Sequence, residues 1–250
     1  MHLPQVYTAT HAVDIARSEY ESTKELSKVI PENVTTPIGT GPCANNPNRG
    51  FFLAEYRDMT DDLPSADELV SLVAKIHQNE SPTGKFGNYM NTYAGKHYVD
   101  NTWTDTWEEY YTRSLRDTFD QERAIHGYDK ELEELSEKML TKVVPRLIRP
   151  METEGRSIKP VLVHGDLWHG NVSIDNETEE PVVYDPCCFY GHNEYDFSMW
   201  RAPRYRTNRA HVRAYFKKVQ MSEPSEDQDD RHALYAMQVA ESSSTLLDCC

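Results

Sequence analysis

Positive charge is scarce in this 250-residue chain: 26 Lys and Arg stand against 41 Asp and Glu, for a net charge of −15. Gripping a nucleic-acid backbone needs clustered cations, so nucleic acid is excluded as a partner. Long apolar runs are missing too. With 38% hydrophobic residues and a mean hydropathy of −0.73, no segment reads as a membrane span. The first residues lack the apolar core of a signal peptide, and no membrane partner is expected. The cysteines are Cys43 and the adjacent pairs Cys187-Cys188 and Cys249-Cys250, without a Cys-x-x-Cys spacing. An odd, adjacent set opposes both a disulfide framework and a zinc site, and points to a reducing, cytoplasmic location. Cys187 and Cys188 read as packing residues. No internal repeat is present. Only the acidic run from Ser222 to Asp230 is low in complexity, and it reads as a solvated loop.

The most telling absence is local. From Val161 to Trp200 there is no Lys or Arg, while Asp166, Asp185, Glu194 and Asp196 all fall in or just after the stretch VLVHGDLWHGNVSIDNETEEPVVYD. Val161-Leu162-Val163 is a short apolar run broken by His164-Gly165-Asp166, the way a buried strand delivers a polar loop. Asn171 to Ile174 and Pro181 to Tyr184 are strand-like, and Asp175-Asn176 can turn the chain between them. Pairing those strands puts Asn171 and Asp185 on neighbouring rungs. An amide oxygen and a carboxylate held together form a hard-oxygen half-site of the kind Mg²⁺ shares with substrate phosphates, and Asp166 can then accept the proton of an attacking hydroxyl. Two carboxylates ~4 Å apart repel by ~4 kcal/mol at an effective dielectric of ~20, so a divalent cation is the natural neutraliser. Singly, each of these residues is an ordinary turn former. Together with His164, placed to hold backbone rather than to react, they ask for phosphoryl-transfer chemistry. A binuclear metallophosphoesterase reading of Gly165 to Gly170 wants further histidine ligands, and only His192 lies near.

Elsewhere, Asp14 to Ile30 reads as a helix stopped by Pro31, with strands at Val34 to Ile38 and Phe51 to Tyr56 around a Gly/Pro/Asn loop. Ser65-Ala-Asp-Glu68 is a capping box opening a helix over 65–77, closed by His77 in a packing or capping role. Thr106-Trp-Glu-Glu109 is a second capping box, with Trp107, Tyr111 and Leu115 forming a core stripe. Leu132, Leu135 and Met139 mark a further helix ending before Pro145. Trp103, just ahead of the second box, is a candidate ring for packing on a sugar.

The run His164-Gly-Asp166-Leu-Trp168-His-Gly170-Asn171, with Tyr184-Asp185-Pro186, Tyr190 to Asp196 and the tryptophan-rich Asn101 to Glu108, resembles the fructosamine and ketosamine 3-kinases. These belong to the aminoglycoside phosphotransferase branch of the protein-kinase-like fold. The resemblance runs from about Asp14 to Met237. It implies an α+β, two-lobed fold with an incomplete N-terminal lobe (1–57, hinge near 55–57) and a mainly helical C-terminal lobe (58–250) holding a catalytic loop at 161–171 and a metal-binding hairpin at 171–185. It implies ATP and Mg²⁺, with phosphorylation of the 3-hydroxyl of ketosamines on small amines or glycated proteins. It makes Asp166 the catalytic base, Asn171 and Asp185 the Mg²⁺ ligands, and Asp196 the brace of the loop. Glu55 and Tyr56 would meet the adenine through their backbone. Glu19, or Glu21, is the helix glutamate that pairs with a phosphate-binding lysine, and Trp103 and Trp168 are substrate-side aromatics.

Two departures from the family pattern stand out. Residues 1–18 hold neither Lys nor Gly, so the lysine strand is represented at most by Val6 to Thr10. Gly39-Thr-Gly41 lies in a connecting loop after the helix and does not replace the phosphate lid. Asp229 to Tyr235 resembles the family's late helix, but Val239 to Cys250 drifts out of it. The expectation is therefore a chain altered at both ends. A catalytically impaired, kinase-like binding protein and a kinase for another hydroxylated amine, of aminoglycoside or choline type, are the alternatives.

Overall fold

The computed structural model describes residues 2–247, with side chains over 5–240. Strand β1 (His2–Tyr7) leads through a turn into helix α1 (Ala12–Val29), followed by β2 (Pro37–Cys43) and β3 (Asn46–Glu55). The sheet is antiparallel in the order β1-β3-β2, and α1 packs on β3. At Gly50 the two approach so closely that a Cβ would lie 2.2 Å from the Ala12 carbonyl oxygen.

Two sequence expectations shift here. The first strand sits at His2–Tyr7 rather than Val6 to Thr10. The segment around Gly39-Thr-Gly41 is not a loop but the body of β2, which starts at Pro37 instead of Val34. Because β2 is an edge strand with register slips beside Pro37 and Pro42, its prolines forfeit few ladder bonds. Composition typical of a turn therefore survives in a strand.

Helix α2 (Ala66–Ile76) opens with both halves of the Ser65/Glu68 capping box. The hairpin β4 (Thr92–Ala94) and β5 (His97–Val99) precedes α3 (Trp107–His126), whose N-cap Thr106 accepts from the Glu109 amide. Helix α4 (Lys130–Lys138) ends as an α-helix before Pro145, but the chain does not leave helical geometry there. It continues through a π turn, Met139–Val143, into α5 (Val144–Leu147). That turn places Pro145 in the first turn of α5, where a missing N–H has no helical partner to lose.

Strands β6 (Val161–Val163), β7 (Val172–Ile174), β8 (Pro181–Val183) and β9 (Phe189–Gly191) form two antiparallel pairs, β6 with β9 and β7 with β8. A 3₁₀ segment, Asn193–Arg201, then leads to α6 (Arg209–Tyr215) and α7 (Gln228–Leu247). Helix α7 runs on to Leu247, so the segment after Val239, where the sequence leaves the family pattern, is still helical that far; Cys249 and Cys250 lie outside the described residues. Nor is Ser222 to Asp230 simply solvated. Asp227 is buried against both guanidinium nitrogens of Arg146, and the carbonyls of Ser222 and Pro224 accept from the buried Arg231. Charge count alone does not reveal a partner some eighty residues away.

β6 is where the architecture converges. Leu162 faces a core built by Leu26 of α1, Ile30 at its C-terminal cap, Leu69, Val73 and Ile76 of α2, and Trp200. Val161 and Val163 face a second core of Trp107, Tyr111, Leu115, Phe189 and Tyr235. A strand alternates its side chains, so three apolar residues fill two cores and the loop that follows is anchored from both sides. Among the described residues no helix is long and apolar enough to cross a membrane.

Candidate active site

The loop leaving β6 is held by backbone bonds to buried acids and rings. Gly165 takes φ +83°, and a Cβ there would lie 2.2 Å from the Cys187 carbonyl oxygen, so only glycine fits. Asp196 lies beneath this turn. It accepts from the His164 amide at 2.9 Å, the Gly165 amide at 2.8 Å and His77 Nε2 at 3.0 Å. Burial alone would raise the Asp196 pKa, but the His77 and backbone donors outweigh it and hold the carboxyl below its ordinary value. The acceptor-only carboxylate requires His77 to donate from Nε2, so His77 Nδ1 accepts from the Tyr215 hydroxyl at 2.8 Å. From another side, Trp200 Nε1 donates to the Leu167 carbonyl at 2.7 Å.

His164 is fully buried. One ring nitrogen accepts the Asp166 amide at 3.3 Å and the other donates to the Tyr184 carbonyl at 3.1 Å. It thus joins the loop to the β7–β8 hairpin, and burial lowers its pKa, keeping it neutral.

Asp166 projects from this frame. Asn171 Nδ2 donates to its carboxylate at 3.0 Å and to its carbonyl at 2.8 Å. Burial pushes the Asp166 carboxyl up to about 6; the Asn171 bond opposes the shift, while the charges of Asp185 and Asp196 add to it. The hairpin register runs Val172 opposite Val183, and the Tyr184 amide bonds the Asn171 carbonyl at 3.1 Å, placing Asp185 next to Asn171. Asp185 takes φ +52°, a left-handed conformation that Asp tolerates better than most side chains, and its side chain is exposed.

Helix α1 closes the site from above. Ser22 Oγ accepts from the Cys188 amide at 3.1 Å and Ser18 Oγ from the Tyr93 amide at 3.0 Å, so the helix is fixed against the segment just beyond Asp185. Glu19 consequently faces Asp185, and its carboxyl is driven up to about 9 by burial, by the Asp185 charge and by a hydrogen bond shared with Asp185. Glu21 turns away, to the Tyr89 hydroxyl at 3.1 Å and Lys24 at 3.4 Å.

These donors suit one kind of metal. Among the described residues no three His, Cys, Asp or Glu side chains gather to hold an ion unaided. What remains is a carboxylate and an amide oxygen in a cluster of acids. That set suits Mg²⁺, which keeps water and phosphate oxygens in its shell.

Below Asp166 lies a cavity of about 240 Å³ walled by Trp168, His97, Tyr110, Tyr195 and Tyr205 among others. Trp168 is therefore in the wall, at 5.9 Å from the Tyr205 ring. Trp103 is not; it stacks on Tyr190 at 6.1 Å. Glu55 and Tyr56 lie at and just beyond the end of β3, where the Glu55 amide bonds the Thr36 carbonyl at 2.9 Å. The next residues run along the hairpin, with the Thr60 amide on the Ile174 carbonyl and Arg57 paired with Asp175. Sequence reasoning did not find His97, Tyr205 or the role of His77. His77 and Asp196 are 119 residues apart, so no local pattern connects them.

A sequence model described as fructosamine kinase matches residues 6–240. The chain belongs to the fructosamine kinase family. It is similar to the chloroplastic protein-ribulosamine 3-kinase of Arabidopsis thaliana, at 30% identity over 187 residues, 74% of this chain and 54% of that one. It is also similar to the ketosamine-3-kinase of Mus musculus, at 36% over 116 residues, 46% of this chain and 35% of that one. The chain thus spans about half the length of the first curated relatives it matches. Among solved structures, a protein from Haemophilus somnus 129PT assigned as a fructosamine-3-kinase gives a TM-score of 0.74 at 17% identity, covering 96% of this chain and 76% of that one. The aminoglycoside phosphotransferase APH(4)-Ia gives 0.61 at 12%, covering 98% and 80%. The fold of this fructosamine kinase family member is accordingly the α+β, protein-kinase-like one.

Proposed function

We propose that the chain transfers the γ-phosphoryl of ATP to the 3-hydroxyl of a ketosamine, a ribulosyl or fructosyl group on a small amine or a glycated protein. The observation that carries this reading is the position of Asp166. Its carboxylate, oriented by Asn171, lies between an aromatic cavity of about 240 Å³ and the acidic cluster of Asp185 and Glu19. Family membership and the ribulosamine and ketosamine kinases among its relatives support the substrate class.

In this reading Asp166 accepts the proton of the 3-hydroxyl as its oxygen attacks the γ-phosphorus and the bond to ADP breaks. A well-placed base is worth about 10²- to 10⁴-fold in rate. Asn171 has its amide nitrogen committed to Asp166, which leaves its oxygen, with the Asp185 carboxylate, to hold Mg²⁺. When bound, that ion offsets the charge of the phosphates. Glu55 and Tyr56 line the adenine side through their backbone, residues 1–57 form the smaller lobe, and Trp168 bounds the sugar. Buried free thiols at Cys187 and Cys188 fit a reducing, cytoplasmic setting.

The test is ATP-dependent phosphorylation of ribulosyl-lysine and fructosyl-lysine followed by mass spectrometry. Phosphate on the sugar 3-oxygen is the expected product. ATP turnover that leaves both sugars unmodified sinks the reading.

A further inference from the structure

We propose that His97 is an acceptor-binding residue, its Nδ1 forming a hydrogen bond with a hydroxyl of the sugar seated against Asp166. The assignment rests on the phosphoryl-transfer reading above and goes beyond it by naming a contact that neither the motif nor the family match supplies.

His97 opens β5, and the β4–β5 hairpin carries its ring into the wall of the cavity that Asp166 also lines. The residue is 8% exposed, and among the described residues its buried Nδ1 has no hydrogen-bond partner. Buried polar atoms are nearly always paired, so an orphaned ring nitrogen in a cavity wall marks the place of a ligand atom. Burial pushes the His97 pKa down to about 4, so the ring is neutral at physiological pH. A neutral imidazole has one donor and one acceptor nitrogen, and a hydroxyl satisfies either.

Several neighbouring polar groups have partners within the protein. The Tyr110 hydroxyl donates to Asn101 at 2.7 Å, Cys187 Sγ meets the Thr92 hydroxyl at 3.2 Å, and Gln238 Nε2 donates to Ser114 at 2.8 Å. The half-buried ring of Trp168 offers apolar surface for the C–H face of a sugar. At about 240 Å³ the cavity lies below the ~300 Å³ at the small end of ligand pockets. One sugar ring fits it, and the amine carrying that sugar stays outside.

Initial rates on ribulosyl-lysine and fructosyl-lysine, with the wild-type chain and the His97→Leu, His97→Asn and His97→Gln variants, test the assignment. Leucine removes the nitrogen, and the acceptor KM should rise about 10-fold or more while kcat and the KM for ATP stay within about 3-fold. The melting temperature of the free protein should hold or rise, because an unpaired buried nitrogen has been removed. A purely structural histidine predicts the reverse, a lower melting temperature with no separation of KM from kcat. Asparagine places an amide where Nδ1 lies and should hold the acceptor KM within about 3-fold; glutamine places it near Nε2 and should not. An unchanged acceptor KM in His97→Leu, or His97→Asn no better than His97→Gln, overturns the role of His97. If the leucine variant does not fold, the asparagine and glutamine pair decides the question. A wild-type chain that phosphorylates neither sugar overturns the functional reading and this assignment with it, so the wild-type rate separates the two failures.

Discussion

Asn171 donates its side-chain amide to the carboxylate of Asp166 at 3.0 Å and to the carbonyl of the same residue at 2.8 Å. One side chain thereby fixes both the rotamer and the backbone of the candidate base, and its oxygen is left for a cation. The pairing depends on β7 starting directly after Asn171, since that strand is what holds the amide at a set height above the loop.

Asp166→Asn should separate activity from stability. Burial raises the Asp166 pKa from 3.8 to about 6, so the ionised form is disfavoured by folding. Its stability contribution is complete below pH 3.8 and declines as pH rises through about 6. Replacing the acid by an amide removes that cost. In metal-free buffer at pH 8 the variant should be more stable by about 1–2 kcal/mol while turnover falls about 10²- to 10⁴-fold. Thermal melts and a coupled ADP assay measure both, and a variant that is active or less stable contradicts the picture.

Metal removal should affect chemistry and leave the fold alone. No three described His, Cys, Asp or Glu side chains form a metal cage, so chelation should abolish turnover yet leave the nucleotide-free melting temperature unchanged. Asp185→Asn should raise the Mg²⁺ concentration for half-maximal rate about 10-fold or more. A melting temperature that drops on chelation would instead indicate a structural ion.

Asp196 predicts the acid limb of stability. Donors from His77 and the loop backbone hold its carboxyl below the ordinary 3.8, so its contribution is present above pH 3.8 and is lost as pH falls through the lower folded value. Asp196→Ala leaves the buried His164 and Gly165 amides unmet and should cost about 3–5 kcal/mol near neutral pH. Asp196→Asn should flatten the acid limb, and denaturant titrations from pH 2.5 to 7 follow the change. An acid limb identical to wild type removes Asp196 from the account.

Gly165→Ala combines a left-handed backbone with a methyl 2.2 Å from the Cys187 carbonyl oxygen. The loop must shift, with a destabilisation of about 2–4 kcal/mol. Because Asp166 is the next residue, kcat should fall about 10²-fold, with the KM for ATP little changed. Wild-type kcat in a folded variant would show that this turn does not position the base.

Much of the site was legible in residue order because its parts are near neighbours. His164, Asp166, Asn171 and Asp185 lie within one loop and one hairpin, and the period of two together with the Asp175-Asn176 turn sets their spacing. The α2 capping box and the core stripe of α3 are local for the same reason. The boundaries that moved were those where tertiary contacts override propensity: β2 keeps its prolines because it is an edge, and α4 passes toward Pro145 through a π turn.

What residue order alone determined, then, is a carboxylate at a strand end with an amide and an acid on the adjoining hairpin, since backbone hydrogen bonds over a short span dictate that geometry. What only the tertiary structure decided is which distant groups complete it. Glu19 rather than Glu21 faces Asp185 because Ser18 and Ser22 pin α1 in one rotation. His77 supports Asp196 from 119 residues away, and His97 joins the cavity wall with an unpaired nitrogen. Such contacts form where packing brings separate cores together, and spacing along a chain carries no record of that distance.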